Sequence, residues 1–78
     1  MDETERIFAE RLLKVMKERG LTYKQVEALT GVPDSSLHDY THCKVSVSLE
    51  TAKKIADGLD INLDWMVGIG SRLKKIAN

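Results

Sequence analysis

Residues 22–44, TYKQVEALTGVPDSSLHDYTHCK, carry the local signals for two short helices joined by a tight turn. Thr22 and, three positions later, Gln25 form a capping-box pattern, in which each side chain can bind the backbone N–H of the other residue at a helix start. Gly31 can adopt the left-handed conformation that ends a helix, and Pro33 suits the first position of the next helix. The stretch therefore predicts a helix, a glycine turn and a second helix over residues 33–41.

The apolar residues of this stretch fall on one face of each predicted helix. Val26 and Leu29 are three positions apart in the first helix, as are Leu37 and Tyr40 in the second. Such spacing is typical of helices that bury one face. Asp34 lies in the first turn of the second helix, where the helix dipole favours a negative charge.

Apolar periodicity predicts three further helices around this stretch. The first covers residues 3–19, the fourth begins after a cap at Ser48, and a short fifth begins after a cap at Asn62. The expected core positions are Phe8, Leu12, Val15 and Met16 in the first helix, Leu49, Ala52, Ile55, Ala56 and Leu59 in the fourth, and Leu63, Met66 and Val67 in the fifth.

The chain of 78 residues is expected to form one domain over residues 1–70, followed by a basic amphipathic tail over residues 71–78. Three apolar residues at the end, Ile69, Leu73 and Ile76, have the spacing of one helical face. This pattern is compatible with a short sixth helix that folds back on its own domain, or with a contact between two copies of the chain. The same three residues are therefore candidate dimer contacts.

Composition narrows the classes of protein to which the chain can belong. With 42% apolar and 31% charged residues, the sequence is typical of a folded helical domain rather than a disordered one. It contains one cysteine, no apolar run of membrane-spanning length and no secretory signal at its start, which favours a cytoplasmic protein without a membrane partner. The 12 basic and 12 acidic residues cancel, which counts against nucleic-acid binding, but they are unevenly distributed: residues 11–20 carry four basic groups and one acid.

No residue pattern predicts an enzyme, a cofactor, a metal or a small-molecule substrate. His38 and His42 are spaced like a zinc-binding pair, but Asp39 stands where the motif has glutamate, and Cys43 is the only nearby candidate for a third ligand. A lone cysteine without a positioned base does not indicate a nucleophile.

The segment LTYKQVEALTGVPDSSLHDY, residues 21–40, resembles the Cro and lambda-repressor type helix-turn-helix family. The family pattern is Leu-Thr, a polar run, an apolar pair, Gly-Val, Ser or Pro, a variable residue and Ser-Thr-Leu. The segment SLETAKKIADGLDINLDWMVG, residues 48–68, is similar to the next two helices of that family. The resemblance covers roughly residues 8–68 and implies an all-α, compact five-helix DNA-binding domain, with the tail as a possible sixth helix.

The resemblance also implies where DNA would bind. Residues 33–41 would enter the major groove, with Ser, His and Asp side chains able to bind base edges, although Arg, Gln and Asn, which make the commonest specific contacts, are absent. The base-facing positions fall on Asp34, Ser35, His38 and Asp39. The phosphate-facing positions fall on Thr22, Tyr23, Lys24, Lys44, Ser46 and Ser48.

The sequence departs from the family at two places. Members often pair an Arg in the first helix with an acid after the reading helix, and these positions are Met16 and Thr41 here. Loss of both partners leaves no unpaired buried charge. Cys43 stands where the family usually has glycine, and we expect the loop to differ there, because cysteine would be strained at positive φ.

The leading hypothesis is a prokaryotic or phage DNA-binding transcriptional regulator, a repressor that binds a palindromic operator as a homodimer. The alternative is a protein–protein interaction module on the same fold that has lost DNA binding. Zero net charge and two acidic residues on the reading face, Asp34 and Asp39, favour the alternative. The chain could also be the DNA-reading part of a longer regulator.

Overall fold

The computed structural model describes residues 3–68, which form five α-helices and contain no strand. The helices are α1 Glu3–Arg19, α2 Tyr23–Thr30, α3 Asp34–Thr41, α4 Leu49–Gly58 and α5 Leu63–Met66. The predicted all-α fold is therefore confirmed, while the suggested sixth helix and the boundary at residue 70 lie outside the described residues. No helix within residues 3–68 combines the length and the apolar character that crossing a membrane requires.

Helix α1 packs against α3 and α5 and buries the predicted stripe. Its acidic residues are concentrated in the first turn and its basic residues in the last, as the helix dipole favours. It ends before Gly20, whose φ is 66°. The buried residues of α1 are Phe8, Ala9, Leu12, Val15 and Met16.

Helices α2 and α3 begin and end close to the predicted positions. The Gln25 N–H donates to Thr22 Oγ1 at 3.2 Å and the Thr22 N–H donates to Gln25 Oε1 at 2.8 Å, so the capping box is present. Gly31 ends α2 with φ 80°. The prediction that Pro33 is the first helical residue is wrong by one position: its ψ of 144° is extended, and α3 begins at Asp34. The Pro33 carbonyl still accepts the first helical hydrogen bond, from the Leu37 N–H at 3.0 Å.

Side chains from all five helices, together with Val32 and Leu59, form one apolar core. Leu12, Val26, Leu37, Ile55 and Met66 are fully buried in it. Burying one such side chain stabilises the fold by about 1.5–3 kcal/mol, so a small core suffices for a domain of this size.

Two predicted core residues are exposed, and three others are only partly buried. Leu29 is 53% exposed because the inner face of the short helix α2 is centred on Val26. Leu49 is 76% exposed because, as the first residue of α4, it lies at the rim of the core rather than over it. Tyr40, Leu63 and Val67 are only partly buried and pack against the core.

Two arginines of α1 bind backbone carbonyls of the α4–α5 region. Arg11 donates to the Trp65 carbonyl at 2.7 Å, and its guanidinium lies 4.6 Å from the centroid of the Trp65 ring. Arg19 donates to the Leu59 carbonyl at 2.6 Å. Half of the basic groups in residues 11–20 therefore hold α1 against the region around α5, so the charge of that segment is only partly available to a ligand.

The loop after α3 keeps the left-handed conformation that glycine would favour. Cys43 has φ 57°, so the expectation that the loop would differ here is wrong. Hydrogen bonds on both sides impose this geometry: the Cys43 N–H donates to the Tyr40 carbonyl at 3.2 Å and the Lys44 N–H to the Asp39 carbonyl at 2.9 Å. A non-glycine residue is strained in this conformation.

Cys43→Gly is expected to raise the free energy of unfolding by about 1 kcal/mol, because glycine removes the steric cost of the left-handed conformation. Urea unfolding followed by circular dichroism measures the change. Asp60→Gly is the matched control, since Asp60 also has φ 57° but aspartate tolerates this region better, and its gain should be smaller. A less stable Cys43→Gly variant would mean that contacts of the thiol outweigh the backbone strain.

Candidate nucleic-acid interface

Helix α3 has one buried and one accessible face. Leu37 and Thr41, four positions apart, are buried. Ser35 and His38 are exposed, whereas the side chains of Asp34 and Asp39 keep 38% and 42% of their accessible surface. The four predicted base-reading residues are thus all at least partly accessible.

The first turn of α2 lies against α3, which brings predicted phosphate and base contacts together. The rings of Tyr23 and His38 meet edge to face, with centroids 5.5 Å apart. The Lys24 ammonium lies 3.5 Å from a carboxylate oxygen of Asp34.

Thr41 is the centre of a hydrogen-bond network at this junction. Its hydroxyl donates to the His38 carbonyl at 2.9 Å, so the Tyr23 hydroxyl, 2.8 Å away, is the donor to Thr41 Oγ1. Thr41 and Met16 are both buried where the family often has an ion pair. An apolar side chain and a satisfied hydroxyl replace the two charges, and the network connects α2 to α3.

His42 was not among the predicted site residues, yet it contacts α3 directly. Its ring stacks on that of His38, with centroids 4.0 Å apart and an angle of 20° between the planes. Its Nδ1 lies 2.8 Å from the His38 carbonyl, which can only accept, so we assign the proton to Nδ1. The four-residue spacing of the two histidines was the signal in the sequence. Residues 3–68 contain no group of three or more His, Cys, Asp or Glu residues placed to hold a metal.

The start of α4 is a second helix N-terminus, but its hydrogen bonds stay within its own first turn. Ser48 Oγ accepts from the Thr51 N–H at 3.1 Å and donates to Thr51 Oγ1 at 2.9 Å. Ser46 is exposed in the preceding loop, and exposed Lys44 follows α3 directly. Side-chain contacts therefore join Tyr23 and Lys24 to α3, whereas Ser46 and Ser48 are connected to it through the loop.

The charges near α3 partly neutralise one another. Lys24 lies 3.7 Å from Glu27 as well as 3.5 Å from Asp34. Its side chain is 76% exposed, and such surface pairs contribute at most about 1 kcal/mol, so a phosphate can compete for this lysine. The first N–H groups of α2 and α4 lack helical partners and can also bind anions.

Thr41→Val is expected to lower the free energy of unfolding by about 1–2 kcal/mol, because it leaves the partly buried Tyr23 hydroxyl without its acceptor. Tyr23→Phe removes the same hydrogen bond and should cost about 1 kcal/mol. Urea unfolding of both single variants and the double variant tests this. The double variant should lose less free energy of unfolding than the two single variants lose together. Strictly additive losses would contradict a direct hydrogen bond between the two side chains.

The sequence model of a helix-turn-helix family matches residues 12–66 of the chain. The chain belongs to the Cro and lambda-repressor type helix-turn-helix family. This helix-turn-helix protein is also 33% identical over 52 residues to the "SPbeta prophage-derived uncharacterized HTH-type transcriptional regulator YopS" of Bacillus subtilis (strain 168). That alignment covers 65% of this chain and 70% of the relative. No solved structure matches the chain significantly. Family and relative together support a DNA-binding transcriptional regulator.

Proposed function

We propose that this helix-turn-helix protein is a repressor that binds a palindromic operator as a homodimer, with α3 in the major groove. The observation that carries the proposal is the junction of α2 and α3, where Tyr23 binds Thr41 and packs on His38. A residue at the phosphate-facing helix start is thereby held against the proposed base-reading helix, and phosphate contacts set the register in which bases are read.

Ser35 and His38 are the strongest base-reading candidates. The Ser35 hydroxyl can donate or accept at a base edge, and the imidazole of His38 can donate to N7 or O6 of guanine. The rings of Tyr23 and His42 support the His38 ring, which lowers the conformational entropy lost on binding. Asp39 can accept from N4 of cytosine. Asp34 also remains a candidate, but its carboxylate lies beside Lys24.

The proposed phosphate contacts come from two capped helix starts and one loop. The positions are Thr22, Tyr23 and Lys24 at α2, Lys44 in the loop, and Ser46 and Ser48 before α4. Backbone N–H groups at helix starts bind phosphate without requiring a charged side chain, which suits a chain of zero net charge.

The repressor assignment rests on the resemblance to Cro and lambda repressor. The proposal extends the operator binding of those proteins to this chain. A homodimer would place two copies of α3 about 34 Å apart, one turn of DNA. The predicted dimer contacts Ile69, Leu73 and Ile76 lie outside residues 3–68. Sedimentation of the free protein and of its operator complex measures the stoichiometry, and one protomer per operator would refute the dimer.

Fluorescence anisotropy with the DNA upstream of the protein's own gene tests the proposal, with an unrelated duplex as competitor and two salt concentrations. Ser35→Ala and His38→Ala should reduce the preference for the operator by about tenfold with little change in salt dependence. Lys44→Ala should lower the slope of log K against log salt by about 0.9 on both duplexes. Lys14→Ala, on α1 and paired with Glu18, is the matched control and should change neither. Operator preference unchanged by Ser35→Ala and His38→Ala would refute the reading face.

The second candidate function is a protein-interaction module. The zero net charge and the position of Lys24 between Glu27 and Asp34 favour it, because both reduce attraction to phosphate. Binding to the upstream DNA no tighter than to the unrelated duplex would support this candidate instead.

A further inference from the structure

A groove of about 240 Å³ lies between the start of α1, the loop before α4 and the end of α5. Its walls include Glu5, Phe8, Val47, Leu49 and Val67. We propose that the C-terminal segment, residues 69–78, packs into this groove on its own domain. This proposal is independent of DNA binding, and it takes the alternative in which Ile69, Leu73 and Ile76 contact their own domain, so that a homodimer would form through other residues.

The groove contains apolar surface that residues 3–68 leave uncovered. Leu49 is 76% exposed, although the apolar spacing of α4 predicts that it faces the core. The groove can hold aliphatic side chains, since its volume of about 240 Å³ is several times the roughly 30 Å³ that one water molecule occupies in the liquid. An apolar segment placed here would complete the stripe that begins at Leu49.

The described part of the chain ends beside this groove. Val67 lines it, and a Cβ added to Gly68 would lie 3.1 Å from the Ile7 side chain of α1. Ten residues follow, which extend about 15 Å as a helix, enough to follow the groove. In a helical conformation, the apolar residues Ile69, Leu73 and Ile76 of this segment would share one face.

Charge also matches the segment to this groove. Residues 69–78 carry three basic groups and no acidic side chain, whereas α1 has Glu3 and Glu5 in its first turn. Glu5 lines the groove and makes no ion pair within residues 3–68. Attraction between the basic segment and the acidic start of α1 therefore favours this groove.

Other positions fit less well. The groove beside Leu13 and Tyr23 contains Lys17, which repels a basic segment. The groove beside Trp65 is lined on α1 by Val15. Val15 lies eight residues, or about 12 Å along the helix, from Ile7, which is the residue that Gly68 approaches at the end of the described chain. A second copy of the chain would have to compete with a segment already tethered at the groove, whose effective concentration is in the millimolar range.

A double-mutant cycle between Leu49→Ala and Leu73→Ala in the full chain tests the proposal by urea unfolding without DNA. We expect the two substitutions to be coupled by about threefold or more in the unfolding equilibrium constant, equally at low and high protein concentration. The matched control pairs Leu73→Ala with Leu13→Ala, another exposed leucine of the domain, and should show coupling below about twofold.

Coupling no larger than in the control would overturn the proposal. Coupling that appears only at concentrations where the protein sediments as a dimer would also overturn it, and would identify a second copy as the occupant. Nuclear Overhauser contacts between the methyl groups of Leu73 and Leu49 give an independent reading. In a mixture of labelled and unlabelled protein, these contacts should remain within one molecule.

Discussion

Gly58→Ala is expected to lower the free energy of unfolding by about 3 kcal/mol, because α4 meets the end of α2 at this residue without room for a side chain. A Cβ at position 58 would lie 2.6 Å from the Leu29 carbonyl oxygen and 2.8 Å from Thr30 Cα. Both are backbone atoms, which cannot rotate away, so the two helices would have to separate. A loss of stability is informative here, because replacing glycine by alanine within a helix otherwise raises stability by about 1 kcal/mol.

Urea unfolding followed by circular dichroism measures this effect. Lys54→Ala is the matched control, since it places alanine at an exposed position of the same helix and should leave stability within about 0.5 kcal/mol of the wild type. A Gly58→Ala variant that is as stable as the wild type would contradict the close approach of α2 and α4.

Asp34→Asn is expected to raise the affinity for unrelated duplex DNA by roughly tenfold near 0.1 M salt and to steepen the salt slope by about 0.9. The Asp34 carboxylate lies 3.5 Å from the Lys24 ammonium and competes with DNA phosphate for it. Asparagine keeps the size of the side chain and removes this competing charge, so Lys24 can release one more counterion on binding DNA.

Anisotropy titrations over a series of salt concentrations measure both quantities. Asp57→Asn is the matched control, because Asp57 is paired with Lys53 at 2.8 Å on the exposed face of α4 and the substitution changes the net charge equally. The Asp57→Asn substitution should change the DNA affinity and the salt slope much less than Asp34→Asn does. If Asp34→Asn instead weakens binding to the operator at an unchanged salt slope, the carboxylate accepts a hydrogen bond from a base, as the family resemblance implies.

The boundaries of the helices were largely predictable because their signals are local. Thr22 and Gln25 cap α2 within one turn, and Gly31 ends it through its own backbone conformation. Ser48 and Asn62 cap α4 and α5 in the same way. The predicted start of α3 at Pro33 is wrong by one residue, because proline suits both the position before a helix and the first position within it.

The accessible residues of the candidate site were also predictable, but their contacts were not. The family resemblance identified Ser35 and His38, both exposed on α3. Nothing in the local sequence revealed that the Tyr23 hydroxyl binds Thr41, 18 positions away, or that His42 stacks on His38 rather than pointing toward a ligand. Such contacts depend on the angle at which α2 meets α3.

The sequence by itself determined where the helices of residues 3–68 begin and end and which family the domain belongs to, because caps, glycine turns and apolar spacing act within a few residues. Only the tertiary structure decided how each face is used. It left Leu29 and Leu49 exposed, turned Arg11 and Arg19 toward carbonyls of the α4–α5 region, and placed Gly58 against the backbone of α2. Burial and pairing depend on which distant residue lies opposite, and that is set when the helices pack.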